Sequence, residues 1–321
     1  MTPICSAKLT LFLISFFSLL LYHVSAASTA RRQTSAISTI YQFPNQLENI
    51  AVRPNGNLLI SYITAPELYE INPSANVGRP SIAHTFPNGH SVFGIQEISP
   101  DVFAVATGII DQLTLQAERE YTVWRVDMTA DGATTEIAKV PDAEFLNGLT
   151  VIPSSEAATT VLVADSFAGC VWAVDIATGA VTKSIDDESM KVRGGAIPIS
   201  VNGVLARGGT LYYTNMGQRN FLSIPLNDDG TAAGNATVIA SDIGGDDFEI
   251  DAVGTAYITT YTDNTLFRVS AAGELMTSIL DFQLNGLTAA HFGRTADDER
   301  TLYVVTNEGR VVAVQVDLVD V

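Results

Sequence analysis

The strongest constraint on the fold is a pattern that recurs six times after residue 46. Each copy consists of a polar anchor, an apolar strand, a turn of Gly or Asp, a second strand, another turn and a third strand. Successive anchors are separated by 46, 53, 55, 44 and 42 residues. This spacing is typical of propeller blades, which contain about 40 to 50 residues. The anchors are Glu48, Gly94, Asn147, Asn202, Asp246 and Thr288.

The chemistry of the strands supports this interpretation. Segments such as VLVADS, VWAVD, LYYTN and LYVVT are rich in β-branched and aromatic residues and are bounded by Gly, Asp or Asn. After residue 27 no stretch keeps a helical apolar stripe for three turns. The sequence therefore predicts an all-β, six-bladed β-propeller that forms a single domain over residues 33–321. A pair of β-sandwiches is the alternative, which regular repetition along almost the whole chain disfavours.

The first 26 residues have the pattern of a secretory signal peptide. Lys8 precedes an apolar stretch of thirteen residues, Leu9–Leu21, and Val24–Ala26 supplies a cleavage signal. Because a bilayer requires roughly 20 apolar residues, we expect no stable membrane anchor. Residues 27–32 then form a short processed or flexible tail. The predicted location is the secretory pathway, extracellular or vesicular.

Cysteine usage predicts a protein without disulfides. Cys5 leaves with the signal peptide, so Cys170 has no partner in the mature chain and is expected to be a buried small hydrophobe. A large core then has to supply the stability. The sequon at Asn235 predicts an N-glycan on a surface loop. We expect a monomer.

Composition argues against a nucleic-acid partner and against a disordered chain. The sequence has 35 Asp and Glu against 17 Lys and Arg, a formal charge of −18. Nucleic acid is therefore not an expected partner, because phosphate binding needs clustered cations. Hydrophobic residues make up 47% of the chain, which is enough for a large core and excludes disorder.

Four of the anchors are candidate ligands or site residues. Equivalent positions of the inner strands converge around the axis of a propeller, which would gather Glu48, Asn147, Asn202 and Asp246. Their carboxylate and amide oxygens are hard donors suited to Ca²⁺, Mg²⁺ or Mn²⁺. The alternative is that Asn and Asp simply form turns at these positions.

These anchors and their contexts resemble the six-bladed propellers of the senescence marker protein (regucalcin), gluconolactonase and lactonase family. The closing TAAHFGR and LYVVT segments are also similar to the last blade of that family. The resemblance implies that Glu48, Asn202 and Asp246 hold a divalent cation, most of all Ca²⁺, and that Asn147 contacts metal-bound water or substrate. The Pro-Asp-Gly that this family has around the metal aspartate is Gly245–Phe248 here, which puts aldonolactone hydrolysis in doubt.

Residues near the anchors predict an apolar or aromatic substrate. We expect Asp246, Asp247 and His291 to act in catalysis, His291 as a general acid or base. A structural hydrogen bond is the alternative role of His291. Inter-blade packing is the alternative role of the predicted substrate contacts. These contacts are Phe93, Phe145, Tyr213, Met216 and Phe248.

The resemblance extends to fungal members of the family that accompany secondary-metabolite pathways. Some of these are hetero-Diels-Alderases, which eliminate water from a benzylic alcohol to give a quinone methide and direct its cycloaddition to a terpene such as humulene. That activity is the expected one. A divalent-metal-dependent lactonase or esterase is the first alternative, and a non-catalytic propeller that binds small molecules is the second.

Overall fold

The computed structural model of the protein describes residues 37–74, 79–111, 116–152, 159–193, 198–279 and 284–316. These residues form six four-stranded antiparallel sheets. Two single-turn 3₁₀ helices are also present, Met128–Ala130 and Glu188–Met190. No helix among these residues is long and apolar enough to span a bilayer. The predicted signal peptide, the tail and Cys5 lie outside the described residues.

Each sheet is one blade, and its innermost strand faces the central channel. The innermost strands of blades 1 to 6 are β2 (Leu47–Val52), β6 (Ser91–Ser99), β10 (Leu146–Val151), β14 (Val201–Arg207), β18 (Phe248–Ile250) and β22 (Leu287–Phe292).

The remaining strands follow outward in chain order. The second strands are β3 (Leu58–Tyr62), β7 (Val102–Asp111), β11 (Thr160–Asp165), β15 (Thr210–Asn215), β19 (Ala256–Thr260) and β23 (Thr301–Thr306). The third strands are β4 (Glu67–Ile71), β8 (Gln116–Asp127), β12 (Cys170–Asp175), β16 (Asn220–Pro225), β20 (Thr265–Val269) and β24 (Arg310–Gln315). The outermost strands are β5 (Ser81–Thr85), β9 (Ala133–Lys139), β13 (Val181–Ile185), β17 (Thr237–Ser241), β21 (Leu275–Ile279) and β1 (Ile37–Gln42).

The prediction of an all-β six-bladed propeller is confirmed, and the structure adds how its ring closes. β1 lies at the outside of blade 6 and pairs antiparallel with β24, Ile37 opposite Val314 and Gln42 opposite Arg310. The two ends of the described chain therefore share one sheet. Hydrogen bonds close the ring without a disulfide, and Cys170 is a free, buried cysteine whose thiol pKa burial raises to about 12.

The hydrophobic core lies between neighbouring blades. A cluster between blades 2 and 3 contains Phe93, Tyr121, Phe145 and Trp172, all less than a tenth exposed. Comparable clusters join the other blades. Both faces of the second strands are covered by neighbouring blades, which explains why β3, β11 and β23 are nearly continuous apolar runs instead of alternating ones.

Glycines let the inner strands of blades 2 to 5 approach one another. A Cβ at Gly94 would lie 2.7 Å from the carbonyl oxygen of Asn147, and one at Gly148 would lie 2.6 Å from that of Asn202. A Cβ at Gly203 would meet Asp247 in the same way. The close approach requires glycine at these positions because any side chain would overlap backbone atoms.

We expect Gly148→Ala to destabilise the protein by about 1–3 kcal/mol, because its methyl group would force two backbones apart. The melting temperature should fall by roughly 2–4 °C for each kcal/mol. Gly234→Ala is the matched control, since its Cβ would meet only ordinary contacts, 3.4 Å or more away. Equal melting temperatures of the two variants would contradict this explanation of the glycines.

Arginines join the blades at the end of the channel where the inner strands end. Arg53 is buried and forms ion pairs with Glu70 of its own blade and with Asp101 of blade 2, the latter at 2.6 Å. Arg294 of blade 6 donates to the carbonyl of Val52 over 3.0 Å. These contacts hold blades 6, 1 and 2 together near the seam of the ring.

Candidate active site

The predicted anchors lie at one end of the channel. Glu48, Asn147 and Asn202 are each the second residue of their inner strand, and Thr288 holds the same position in β22. Asp246 lies two residues before β18, in the segment that leads into the strand. Because all six inner strands run in the same direction around the axis, these residues lie where the strands begin. We call this end of the channel the mouth.

Three of the anchors form one group. The Nδ2 atom of Asn202 donates to Oδ1 of Asp246 over 2.6 Å, and both residues are buried. Most of Glu48 is shielded from solvent, and its carboxyl interacts electrostatically with that of Asp246. Asn147 is buried one blade away and approaches the group through Gly148, which packs on the backbone of Asn202. The structure therefore brings Glu48, Asn202 and Asp246 together.

Asp246 and Asp247 are held by threonines of the second strands. The hydroxyl of Thr214 donates to the carbonyl of Asp246 over 2.7 Å, and the amide of Gly203 donates to the same carbonyl over 2.9 Å. The amide of Asp246 donates to the carbonyl of Thr259, whose own hydroxyl donates to the carbonyl of Asp247. Both aspartates are thus fixed although they precede the regular strand.

Burial and like charge raise the pKa values of three carboxyls at the mouth. Burial raises the pKa of Glu48 to about 8, and the nearby Asp247 carboxylate adds to this effect. Burial also raises the pKa of Asp246, with Glu48 and Asp247 as further causes. Burial raises the pKa of Asp247 to about 6, although hydrogen bonds from Asn49 and from the Phe248 amide oppose the shift. At pH 7 a protonated carboxyl at Glu48 therefore lies near an ionised one at Asp247.

His291 lies farther along the channel, near the point where the inner strands end. Its Nδ1 atom donates to the carbonyl of Phe292 over 2.9 Å, because a carbonyl can only accept. Its Nε2 atom is 3.6 Å from Oε2 of Glu249. His291 and Glu249 line a cavity of about 480 Å³ at this end, together with Arg294 and Arg300. A catalytic role of His291 stays a prediction.

The five predicted substrate contacts are buried in or against the blade cores. Phe93 and Phe145 meet edge to face, 5.3 Å between ring centroids, and Phe248 packs on Phe221 at 4.9 Å. The Tyr213 hydroxyl is 2.6 Å from that of Ser189. Inter-blade packing accounts for these positions, and direct contact with substrate stays a prediction. The five are Phe93, Phe145, Tyr213, Met216 and Phe248, each exposed by 6% or less.

Partly exposed apolar residues cover this buried cluster on the side of the mouth. Ile63, Ile110, Phe167 and Ile199 pack against the cluster that contains Phe145, and the rings of Phe145 and Phe167 are 4.8 Å apart. We call these four residues the apolar wall. They come from blades 1 to 4, whereas the three carboxyls come from blades 1 and 5. Sequence reasoning missed the wall because its residues lie in turns and at strand ends, where the repeat is irregular.

The oxygen donors at the mouth fit a hard divalent cation. Glu48 and Asp246 supply carboxylates, and a cation near both would remove the repulsion that raises their pKa values. Among the described residues, no group of three or more His, Cys, Asp and Glu side chains is arranged for a metal ion. A third oxygen donor would be the side-chain amide oxygen of Asn202, whose nitrogen donates to Asp246. These three side chains would hold the cation.

No protein-family model matches the chain. A protein of Sarocladium schorii, provisionally named a hetero-Diels-Alderase, is 25% identical over 312 residues, which cover 83% of this chain and 76% of that protein. A protein of a Phoma species with the same provisional name is 25% identical, over 94% of this chain and 98% of that protein. These two relatives confirm the predicted resemblance to hetero-Diels-Alderases, at 25% identity.

Solved structures agree on the architecture. A calcium-binding regucalcin of Agrobacterium tumefaciens superposes with a TM-score of 0.65 at 19% identity, over 88% of this chain and 96% of that one. A gluconolactonase of Xanthomonas campestris superposes with a TM-score of 0.66 at 14% identity, over 91% and 93%. The chain has the fold of the regucalcin and gluconolactonase propellers. At identities this low the superpositions show the fold alone. Calcium binding and gluconolactonase activity are properties of those neighbours.

Proposed function

We propose that the protein is a secreted tailoring enzyme of secondary metabolism, most like a hetero-Diels-Alderase. It would remove water from a hydroxymethyl phenol or tropolone and direct the resulting quinone methide onto a terpene. One observation carries the proposal: the mouth combines carboxyls of raised pKa with an apolar wall on neighbouring blades. Similarity to two provisionally named hetero-Diels-Alderases supports it.

The carboxyls suit the dehydration step. Asp247, ionised at pH 7, takes the proton of the phenolic hydroxyl, and Glu48, protonated at pH 7, gives its proton to the departing benzylic hydroxyl. The carbon–oxygen bond breaks, water leaves, and the ring becomes a neutral quinone methide. Asp247 is then protonated and Glu48 is ionised. Proton exchange with solvent returns both carboxyls to their initial states. Where their surroundings give two carboxyls different pKa values, one can act as the acid and the other as the base.

The apolar wall suits the second step. Cycloaddition of a quinone methide to an alkene transfers no proton, so the protein has only to orient the two reactants and exclude water. Fixing two reactants in one site can lower a barrier by roughly 7–11 kcal/mol. Ile63, Ile110, Phe167 and Ile199 would bind the hydrocarbon partner without competing for its π bond.

Secretion and monomeric state are parts of the same proposal. Asn235 is exposed, in the segment before β17, as an N-glycan site must be. The signal-peptide pattern at residues 1–26 supports entry into the secretory pathway. Apolar or aromatic small molecules are the proposed partners, and nucleic acid is not one.

Truncation of the wall tests the proposal through product distribution. We expect Phe167→Ala to raise the ratio of water-quenched product to cycloadduct several-fold, while consumption of the benzylic alcohol changes by less than about twofold. The assay contains an ortho-hydroxymethyl phenol, humulene and a chelator, and the products are separated by chromatography.

Phe267→Ala is the matched control because Phe267 is also partly exposed but lies on β20, outside the wall. Its product ratio should equal that of the unmodified protein. If both phenylalanine variants give the same ratio, or if no cycloadduct forms above the uncatalysed background, the proposal is wrong.

A metal-dependent lactonase or esterase is the second candidate. The oxygen donors of Glu48, Asn202 and Asp246 favour it, and so does similarity in fold to a gluconolactonase. A bound cation would polarise the ester carbonyl, and Asp247 would accept the proton of the attacking water. Activity that survives exhaustive chelation favours the cyclase, whereas lactone turnover that requires Ca²⁺ favours the hydrolase. Saturable binding without turnover in either assay would favour a non-catalytic carrier.

Calorimetry tests the candidate metal site directly. We expect one equivalent of Ca²⁺ to bind the protein and Asp246→Asn to weaken that binding by about a hundredfold or more, because a charged ligand is lost. Asp242→Asn is the control, since Asp242 is exposed in the same segment. Unchanged affinity in Asp246→Asn would show that Asp246 is a structural residue of the channel.

A further inference from the structure

A second cavity lies on the flank of blade 2, away from the channel. Its volume is about 450 Å³, within the range of small-molecule sites. Its walls come from the third and outermost strands, β8 and β9, and from the segment between β5 and β6. None of the carboxyl anchors and none of the apolar wall residues is among its lining residues. His90, Glu120 and Trp124 are among its lining residues.

Hydrogen bonds link His90 to Thr107 and Trp124. The Nε1 atom of Trp124 donates to Oγ1 of Thr107 over 2.9 Å. The Thr107 hydroxyl lies 3.1 Å from Nδ1 of His90. Burial lowers the pKa of His90 below its ordinary value. In the neutral tautomer whose Nδ1 accepts from Thr107, the ring hydrogen is on Nε2, which can then donate to a ligand.

Glu120 supplies an acceptor to the same cavity. It is exposed, is one of the lining residues and acts electrostatically on His90. The cavity therefore contains both an imidazole and a carboxylate that can bond to a ligand. A ligand hydroxyl can accept from the first, and a neighbouring hydroxyl can donate to the second.

Trp124 gives this cavity a flat apolar side. Its polar edge is already bonded to Thr107, so carbon surface of the indole is what remains for a ligand. The side chain is partly exposed, and Phe86 supports it from behind at 5.8 Å between ring centroids. Aromatic faces of this kind stack against the apolar face of a ring.

We propose that the blade 2 cavity binds a six-membered ring bearing neighbouring hydroxyl groups, stacked on Trp124 and held between His90 and Glu120. The ring is either a pyranose or a catechol, which share this chemistry. The site is independent of the channel and of the activity proposed for it.

Nitrogen NMR of the indole groups tests the proposal on the intact protein. The sequence contains two tryptophans, so two indole N–H signals are expected, and Trp124→Phe assigns them. Methyl β-glucoside and 4-methylcatechol are titrated separately. We expect at least one probe to shift the Trp124 signal saturably while leaving Trp172, which is buried and bonded to Asp165, unmoved. The probe that binds identifies the source of the ring.

Two variants on β8 give the control. Glu120→Ala should weaken binding by about tenfold, because it removes the charged acceptor. Glu118→Ala, two residues earlier on the same strand and equally exposed, should bind as the unmodified protein does. His90→Asn should also weaken binding. If neither probe shifts the Trp124 signal, or if Glu120→Ala and His90→Asn bind with unchanged affinity, the assignment is overturned.

Discussion

Asp247→Asn is expected to slow consumption of an ortho-hydroxymethyl phenol at pH 7 by a factor of about 10²–10⁴, the usual contribution of a general base. The amide cannot take the phenolic proton, whereas the carboxylate, with a pKa of about 6, can. The fold should persist, because an amide oxygen can still accept from the Phe248 amide. Initial rates with a chelator present, together with circular dichroism, measure the two effects.

The pH profile sharpens this test. Consumption by the unmodified protein should rise as Asp247 ionises around pH 6 and fall as Glu48 ionises around pH 8. Because the carboxyls interact, the two apparent values belong to the group as a whole. Asp247→Asn should lose the acid limb of this bell. Asp242→Asn, the same substitution at an exposed site, should keep both limbs.

A rate in Asp247→Asn within tenfold of the unmodified protein would exclude Asp247 as the base. A profile without an acid limb near pH 6 in the unmodified protein would point to a base other than this carboxyl.

Glu48→Gln is expected to make the protein more heat-stable at pH 8.5 in the presence of a chelator. The pKa of Glu48 is raised from 4.5 to about 8 in the folded protein. A raised carboxyl pKa means that the folded state binds the proton more tightly than the unfolded state does. The contribution of Glu48 to the free energy of unfolding is therefore greatest below pH 4.5 and is lost as the pH rises toward 8.

Glutamine removes this loss because it stays neutral at every pH. The gain at pH 8.5 should be a few kcal/mol, since one pKa unit corresponds to about 1.36 kcal/mol and other carboxyls share the repulsion. That corresponds to roughly 5–10 °C in melting temperature. Near pH 4.5 the two proteins should melt at similar temperatures. Glu274→Gln, at an exposed site, is the control and should melt like the unmodified protein at both pH values.

Calcium should reverse which of the two proteins has the higher melting temperature at pH 8.5. Ca²⁺ in excess stabilises any state that binds it, so it should raise the melting temperature of the unmodified protein at pH 8.5 and leave Glu48→Gln nearly unchanged. If Glu48→Gln raises the melting temperature as much at pH 4.5 as at pH 8.5, the charge of Glu48 is not the cause of the stabilisation.

Periodicity was sufficient to predict the architecture. Each of the six anchors lies within three residues of the start of an inner strand, because the same sequence of an anchor and an apolar strand recurs in every blade. Gly94 lies three residues after the start of β6, and Asp246 lies two residues before β18, where threonine contacts replace regular pairing. β1 was not predicted, since a closing strand pairs with the far end of the chain and belongs to no repeat.

Repeat position also identified residues that converge at the channel mouth. Glu48, Asn202 and Asp246 were singled out by their place in each copy, and the propeller brings them together. Asn49, which bonds the Asp247 carboxylate, and Glu249, which lies beside His291, were missed. Their partners are distant in sequence, so no local pattern marks them.

The sequence by itself therefore determined the number of blades, the starts of the inner strands within about three residues and the anchors at the mouth. These depend on burial, which repeats along the chain. Tertiary structure alone decided that the predicted aromatic contacts are buried between blades and that the apolar wall stands in front of them. It also decided which carboxyls lie close enough to shift one another's pKa values, because charge interactions depend on distance across the channel and not on separation along the chain.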